Sequence, residues 1–135
     1  MAEGIDKEVR ASSYSPLALA FLGDSVLDLH VKKHYVLKAN MQSQKYHSLV
    51  TRVVSAVNQA AFMDHIEAEL SEEEKDIYHR GRNASVHTRA KNATMAEYKK
   101  ATGMEALTGY LYLSGREERI EELVRELLRF TEADD

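Results

Sequence analysis

The sequence contains no cysteine and no tryptophan, and only one proline and six glycines among its 135 residues. Without cysteine, neither a disulfide framework nor a thiolate metal site can form. The scarcity of proline and glycine favours long helices joined by short connections. No apolar run approaches the roughly 20 residues that span a membrane, and no secretory signal is recognisable, so we expect a cytoplasmic protein without a membrane partner.

The overall charge is weakly negative, but it is unevenly distributed along the chain. The total is −4, and the 44% of hydrophobic and 30% of charged residues are ordinary for a soluble globular protein. Residues 79–100 hold six basic residues against one acid, a net charge of +5 that leaves −9 for the rest. A basic segment in an acidic chain is typical of local nucleic-acid binding. The length suits one domain and leaves no room for a second.

The stretch that begins at Pro16 contains the first unusual acid. Ser15 can cap a helix that has proline at its first position. The apolar residues that follow recur at helical spacing: Leu17, Phe21, Leu27, Val31 and Tyr35. Asp24 falls on this stripe directly after Gly23, although a carboxylate is costly to bury uncompensated. A glycine inside a helix costs roughly 1 kcal/mol, so we expect Gly23 where two backbones approach closely.

A second stretch, residues 94–115, also places an acid on an apolar helical face near a glycine. Thr94 and Glu97 have the spacing of a capping box, and Gly115 marks the expected end of the helix. Glu105 shares one helical face with apolar and small residues, namely Tyr98, Ala101, Gly109 and Tyr112. Two carboxylates, each on the inward face of its own helix, can hold a divalent cation through oxygen ligands. The alternative is a pair of surface acids in salt bridges, which the apolar faces and nearby glycines disfavour.

These residues also carry a family resemblance. Residues 21–27 (FLGDSVL) are similar to the signature of the ribonuclease III catalytic domain, and residues 104–113 (MEALTGYLYL) resemble its second acidic motif. The wider spelling LALAFLGD, the run RVVSA at 52–56 and GRNA at 81–84 resemble the short bacterial branch called Mini-ribonuclease III. That branch lacks a double-stranded-RNA-binding domain. The resemblance covers residues 15–130 and implies a single all-α endonuclease domain.

The resemblance implies a chemistry, a substrate and an assembly. Asp24 and Glu105 would bind Mg²⁺, for which Mn²⁺ can substitute, and orient the water that hydrolyses a phosphodiester. The implied substrate is double-stranded RNA, in this branch the paired stalks of large-subunit (23S) ribosomal RNA precursors. The sequence leaves open whether a ribosomal protein is a further partner that presents the RNA. The implied assembly is a twofold homodimer in which Phe21 docks in the partner subunit. The alternative is that Phe21 belongs to the intramolecular core.

Two positions depart from the longer enzymes of the family. Those enzymes have further acids four residues before the signature aspartate and three before the second glutamate, where this chain has Ala20 and Thr102. The departure leaves the number of metal ions open. It also leaves open the alternative that the chain is a catalytically inactive, dimeric RNA-binding or ribosome-associated homologue. The Mini-ribonuclease III branch, however, looks the same at both positions. A plain helical interaction module would leave the basic segment and the inward acids unexplained.

Helical periodicity predicts five to seven helices, of which the first long one runs to about Lys38. Residues 44–70 should form one long helix, or two with a bend near Asn58. Ser71 and Glu74 should form a capping box at the start of the next helix, which we expect to end near Gly81.

The last third of the chain should contain a loop and a closing helix. Residues 82–94 have no apolar period and predict a loop that is longer than packing requires, which is typical of functional or disordered segments. Residues 116–130 predict an amphipathic closing helix. We therefore expect a catalytic domain over residues 15–130, after a loosely ordered lead-in (1–14) and before a frayed tail (131–135).

Positive side chains in and near the predicted loop are the candidates for phosphate contacts. Duplex RNA is recognised mainly through its phosphates and 2′-hydroxyl groups. The residues that we assign to RNA binding are Arg80, Arg82, Asn83, Arg89, Lys91 and Arg52. The alternative for the residues of the basic segment is ion pairing with the acids of the closing helix. The polar neighbours of Arg52, namely His47, Ser55 and Gln59, are expected to form a solvated surface.

Overall fold

The computed structural model describes residues 11–85 and 93–133. Within these ranges the chain forms α-helices and no strand, which confirms the predicted all-α class. The elements are α1 (Pro16–Lys38), α2 (Ser43–Val54), α3 (Ala56–Ile66), a 3₁₀ helix (Glu67–Glu69), α4 (Glu72–Ala84), α5 (Met95–Leu113) and α6 (Glu117–Glu132). No helix in this part of the chain is long and apolar enough to cross a membrane.

The predicted helix starts and stops are confirmed where local side-chain chemistry sets them. Ser15 caps α1 by accepting a hydrogen bond from the Ala18 amide at 3.1 Å. Complete capping boxes begin α4 and α5, where the cap residues are Ser71 and Thr94. Gly115 follows α5 with a φ of +74°, a left-handed conformation that glycine adopts without steric cost. These signals are local, so the sequence alone is enough to place them.

Helix α5 is the centre of the fold and packs against α1, α3 and α4. Ten of its 19 residues are buried, so it is covered on nearly all sides rather than on the one face that its sequence pattern suggests. The largest core side chains around it come from different helices and include Tyr78, Phe62 and Leu19. A helix in this position can fix a side chain firmly, because its own backbone cannot shift without disturbing its neighbours.

The crossing of α1 and α5 brings two backbones into direct contact. A Cβ atom built on Gly23 would overlap the carbonyl oxygen of Glu105, and one on Gly109 would overlap that of Leu19. The close approach expected at Gly23 is therefore confirmed, and its counterpart is the backbone of the second acidic motif. The contact places the residues that follow Gly23 beside Glu105.

Two expected boundaries around α3 and α4 are wrong. The break in the long segment 44–70 falls at Ser55 rather than near Asn58, because Ser55 leaves α2 in an extended conformation and then caps α3. Helix α4 does not end near Gly81 but continues to Ala84. A Cβ atom on Gly81 would lie 2.6 Å from that of Ala106, so this glycine permits close helix packing and does not end the helix.

The ends of the expected domain also differ in part. Helix α6 extends to Glu132, and Thr131 is only 2% exposed, so the frayed tail does not begin at 131. The Thr131 hydroxyl accepts a 2.7 Å bond from Asn58, and its carbonyl accepts a 2.9 Å bond from Arg52. In the expected lead-in, Ala11 is fully buried. The remainder of both ends, residues 1–10 and 134–135, lies outside the described residues.

A cluster of acids and arginines joins α4 to α6. Glu74 is 5% exposed and receives two hydrogen bonds from the Arg119 guanidinium, at 2.7 and 3.0 Å. Its neighbour Glu73 pairs with Arg116 and accepts a 2.5 Å bond from the Tyr110 hydroxyl. Each acid in this cluster therefore has a cationic partner.

Candidate active site

Asp24 lies at the surface end of the site. It is exposed, so the expectation that it points inward is wrong. Gly23 is the residue that faces α5, and the next side chain is turned by about 100° around the helix axis. Asp24 therefore lies at the rim of the α1–α5 contact, where an external molecule can reach it.

Phe21 is also on the open side of α1. Its side chain is 85% exposed, and that of Leu17 is 39% exposed, whereas Leu27 and Val31 are buried. Only part of the apolar stripe predicted for α1 therefore contacts the core. The alternative assignment of Phe21 to the intramolecular core is wrong.

Glu105 lies at the inner end of the site. Burial and the neighbouring Asp24 carboxylate raise the pKa of Glu105 to about 8, although a hydrogen bond from Gln59 acts in the opposite direction. The two carboxyl groups are close enough to share a hydrogen bond. Neither acid forms a salt bridge within residues 11–85 and 93–133. The fold thus brings together two acids that lie 81 positions apart in the printed sequence, and no basic residue of the described ranges pairs with them.

Gln59 is a residue of the site that the sequence pattern does not identify. It was expected on a solvated surface, but it is only 1% exposed. Its amide nitrogen donates to Oε2 of Glu105 at 3.3 Å and to the Val54 carbonyl at 2.8 Å. The break at Ser55 turns α3 so that its polar residue meets α5. A buried glutamine needs such partners, but a periodic pattern gives no sign of contacts between distant segments.

This donor set fits a hard divalent cation. Two carboxylates that repel each other, one of them with a pKa raised to about 8, form a site that a positive charge would stabilise. No group of three or more histidine or acidic side chains is placed to hold a metal within the described ranges. Mg²⁺ nevertheless uses only one or two protein carboxylates and completes its coordination with water and substrate phosphate. Asp24 and Glu105 therefore suffice as protein ligands.

The two positions that depart from the longer enzymes add no ligand. Ala20 and Thr102 are each 7% exposed. The Thr102 hydroxyl donates to the Tyr98 carbonyl at 3.0 Å and accepts from the Ser85 hydroxyl at 3.3 Å. Both positions belong to the packed interior, so the acids that the described residues contribute to the site are Asp24 and Glu105, with Gln59 behind them.

The described part of the basic segment is helical. Arg82 and Asn83 belong to the last turn of α4 rather than to the expected loop, and Arg80 lies in the same helix, as expected. Arg89 and Lys91 lie outside the described residues. Arg80 donates to the Ser12 carbonyl at 3.3 Å, and the Arg82 guanidinium lies 5.6 Å from the ring centre of Tyr78. Neither contact neutralises the arginine, because a carbonyl and a ring carry no formal charge.

The acids of α6 have other partners. Glu117 pairs with His30, Glu122 with Arg119, and Glu132 lies 3.9 Å from Lys38. The alternative that these acids hold Arg80 and Arg82 therefore finds no support in the described contacts. Arg52 has a structural contact of its own: its guanidinium donates to the Thr131 carbonyl and so joins α2 to the end of α6.

Comparison with known proteins then identifies the family. A model of the ribonuclease III domain matches residues 17–116, which include both acids and helices α1 to α5. The chain belongs to the ribonuclease III family. It is similar to Mini-ribonuclease 3 of Staphylococcus aureus, with 41% identity over 84% of this chain and 87% of the relative. Mini-ribonuclease 3 of Streptococcus pneumoniae is 43% identical over 80% and 86%.

A solved structure has the same fold. A crystal structure of a protein from Fusobacterium nucleatum superposes with a TM-score of 0.77 at 36% identity and covers 83% of this chain and 89% of that one. Membership of the ribonuclease III family makes the protein an endoribonuclease, and its place among the Mini-ribonuclease 3 relatives agrees with the resemblance found in its motifs.

Proposed function

We propose that this ribonuclease III family protein hydrolyses double-stranded RNA with the help of Mg²⁺ held by Asp24 and Glu105. The observation that carries the proposal is the pairing of these two carboxyl groups at the α1–α5 crossing, where the described part of the chain supplies no basic partner. A chain that used the acids only for stability would gain more from an arginine, as it does at Glu74. The same pairing disfavours the inactive RNA-binding or ribosome-associated homologue, because such a protein has no use for it.

The two acids have different parts in the reaction. When bound, Mg²⁺ supplies an activated water and charge stabilisation at the phosphorus, and Mn²⁺ accepts the same oxygen ligands. Asp24 is exposed, so it is the ligand nearest to the phosphate that arrives with the RNA. Glu105 is half-buried on the central helix, so its position is fixed before RNA binds. Neither acid needs to move to perform its role.

The basic segment supplies the attraction for RNA. The proposed contacts to phosphate come from Arg80, Arg82 and Asn83, joined by Arg89 and Lys91 of the same segment and by Arg52. We place the reaction in the cytoplasm, on the paired stalks of 23S ribosomal RNA precursors, with a ribosomal protein as the partner that presents them. The support for this narrower substrate is the similarity to the Mini-ribonuclease 3 proteins. Contacts to phosphate alone would make binding sensitive to salt.

The proposed assembly is a twofold homodimer. Phe21 is 85% exposed and Leu29 is 66% exposed, on the same helix as Asp24. Large exposed apolar side chains on one helix are typical of interaction surfaces. A dimer formed through α1 would bury Phe21 and set two copies of Asp24 near each other, one for each RNA strand.

Removing the Phe21 ring tests the dimer. Truncation of an aromatic side chain at the centre of an interface commonly costs about 2 kcal/mol or more. We expect Phe21→Ala to dissociate at concentrations where the unchanged protein is dimeric in analytical ultracentrifugation. Val57→Ala, at a half-exposed apolar residue of α3, serves as the control and should not alter the dimer. Equal dimer affinities for Phe21→Ala and the unchanged protein would exclude α1 as the interface.

One incubation tests the activity itself. The protein is mixed with a duplex ribosomal RNA stalk in Mg²⁺ or in EDTA, and the product ends are mapped on both strands. We expect cuts on both strands in Mg²⁺ only, and none in single-stranded RNA of the same sequence. Binding without cleavage in Mg²⁺ and in Mn²⁺ would instead favour the inactive homologue.

A further inference from the structure

Gln59 occupies an unusual position between a helix end and an acid of the site. Val54 is the last residue of α2, so its carbonyl oxygen has no partner within that helix. The Gln59 amide nitrogen donates to this oxygen at 2.8 Å and to Oε2 of Glu105 at 3.3 Å. One NH₂ group therefore joins the α2–α3 break to the inner carboxylate.

The orientation of this amide is fixed by its partners. The Val54 carbonyl can only accept a hydrogen bond, and the reverse orientation would place the amide oxygen against it. In the observed orientation the Gln59 oxygen is buried, and no hydrogen-bond partner for it lies among the described residues. A side chain kept in the interior with an unused acceptor is unfavourable for stability alone, since an apolar residue of the same shape would avoid that cost.

We propose that Gln59 is a positioning residue that holds the Glu105 carboxylate in the orientation needed to share a divalent cation with Asp24. The inference rests on the proposed function. Asp24 is exposed and can adapt, whereas Glu105 is half-buried and must be set correctly by its surroundings. The Val54 carbonyl anchors the glutamine, because it engages one N–H and leaves the second directed at Glu105.

Asn58 provides a matched control on the preceding residue. Its amide nitrogen donates to the Val53 carbonyl at 2.8 Å, so it also serves a carbonyl at the end of α2. Its other N–H is directed away from the acids, to the Thr131 hydroxyl at 2.7 Å. Removing either amide therefore removes one hydrogen bond to a carbonyl at the end of α2. Only the removal of the Gln59 amide also removes a hydrogen bond to Glu105.

The experiment compares Gln59→Met with Asn58→Leu, two changes that keep a side chain of similar length and remove the amide. Binding of Mn²⁺ to the RNA-free protein is measured by electron paramagnetic resonance, and cleavage of duplex RNA gives kcat and KM. Residues that orient metal ligands typically contribute roughly 10- to 100-fold to metal affinity or activity. We expect Gln59→Met to weaken Mn²⁺ binding and lower kcat by about tenfold each, with KM within about twofold. Asn58→Leu should change neither, while both variants lower the melting temperature.

A second variant keeps the test valid if Gln59→Met does not fold. Gln59→Asn keeps a polar amide at this buried position but is one methylene shorter, which draws the NH₂ group back from Glu105, so it should fold and still bind Mn²⁺ more weakly. Mn²⁺ binding and kcat equal to those of Asn58→Leu would overturn the positioning role. Asp24→Asn in the same assays separates the two proposals. If that variant is inactive while Gln59→Met is normal, only the role of Gln59 fails, and if it cleaves RNA normally, the proposed function fails.

Discussion

Two pairs of carboxylates lie at helix junctions of this protein and have opposite surroundings. Glu73 and Glu74 join α4 to α6 and are each paired with an arginine. Asp24 and Glu105 join α1 to α5 and have no salt bridge among the described residues. The first pair is satisfied by the chain itself and holds the fold together. Within residues 11–85 and 93–133, no cation of the chain balances the second pair.

The proton affinities of the two pairs follow from this difference. Burial alone would raise the pKa of Glu74, but hydrogen bonds from Arg119 and from the Ser71 backbone outweigh it, so the pKa of Glu74 is lowered. Hydrogen bonds from Arg116 and Tyr110 lower the pKa of Glu73. At Glu105, burial and Asp24 act in the same direction and raise the pKa to about 8. Burial raises the pKa at Glu74 and at Glu105 alike, but only Glu74 has a cationic partner, and that partner decides the sign of the net shift.

The largest expected effect is the loss of cleavage in Asp24→Asn and in Glu105→Gln. An amide keeps the shape of the side chain but removes the anion that Mg²⁺ requires. We expect the rate of duplex cleavage to fall by about a thousandfold or more, beyond the roughly 10- to 100-fold typical of residues that only orient ligands. Single-turnover cleavage in Mg²⁺ measures this rate of duplex cleavage. The melting temperature should stay the same or rise, because a repulsion is removed, and either variant with near-normal cleavage would remove its residue from the site.

The opposite result is expected at the arginine-paired cluster. Glu74→Gln should lower the free energy of unfolding by about 2 kcal/mol, because Arg119 loses its charged partner in a partly buried position. Cleavage per folded molecule should be unchanged, since the cluster lies on the α4–α6 side of the fold. Urea denaturation gives the stability, and Glu72→Gln, at a side chain that is 95% exposed on the same helix, is the control. A Glu74→Gln protein of normal stability would contradict the structural role of the cluster.

Features that depend on nearby residues could be predicted from the sequence, whereas features that depend on contacts between distant segments could not. Caps, the close approach at Gly23 and the pairing of Asp24 with Glu105 depend on local chemistry or on short motifs, so they could be predicted. The exposure of Asp24 could not, because it depends on which side of α1 its neighbours cover. Glycine is typical of helix ends, so the sequence predicts an end near Gly81. Only the contact of Gly81 with Ala106 explains why glycine occurs there inside α4.

The predicted exposure of Gln59 is wrong for a related reason. Its periodic position places it on a polar surface, and its burial follows from a break at Ser55 that the sequence pattern locates three residues too late. The sequence therefore predicts which acids meet, but not the side chain that holds one of them.

A smaller effect concerns stability at low pH. Because the pKa of Glu74 is lowered in the folded state, its contribution to stability is complete above the ordinary value of 4.5 and disappears as the pH falls through the folded value. The unchanged protein should therefore lose stability below about pH 4.5 more steeply than Glu74→Gln does. Urea denaturation between pH 7 and pH 3 measures the two slopes. Parallel curves for the two proteins would show that Glu74 is not held ionised by Arg119.

The smallest expected effect separates two kinds of arginine. Arg119 is neutralised by Glu74, whereas Arg82 lies over the ring of Tyr78, and we propose that its charge contacts a phosphate of the RNA. Arg82→Gln should lower the slope of log affinity against log salt by roughly 0.7 to 0.9 without changing the chemistry. Duplex binding is measured on the Asp24→Asn background at constant Mg²⁺, so that cleavage does not distort the curve. An unchanged slope would remove Arg82 from the RNA surface.

The most direct test of the central difference is the effect of Mg²⁺ on thermal stability in the absence of RNA. A ligand at 100 times its dissociation constant stabilises the folded state by about 2.7 kcal/mol. We predict that Mg²⁺ raises the melting temperature of the unchanged protein and of Glu74→Gln, but not that of Asp24→Asn or Glu105→Gln. An equal rise in all four proteins, or no rise in the unchanged one at any Mg²⁺ concentration, would contradict the account of Asp24 and Glu105 as a cation site.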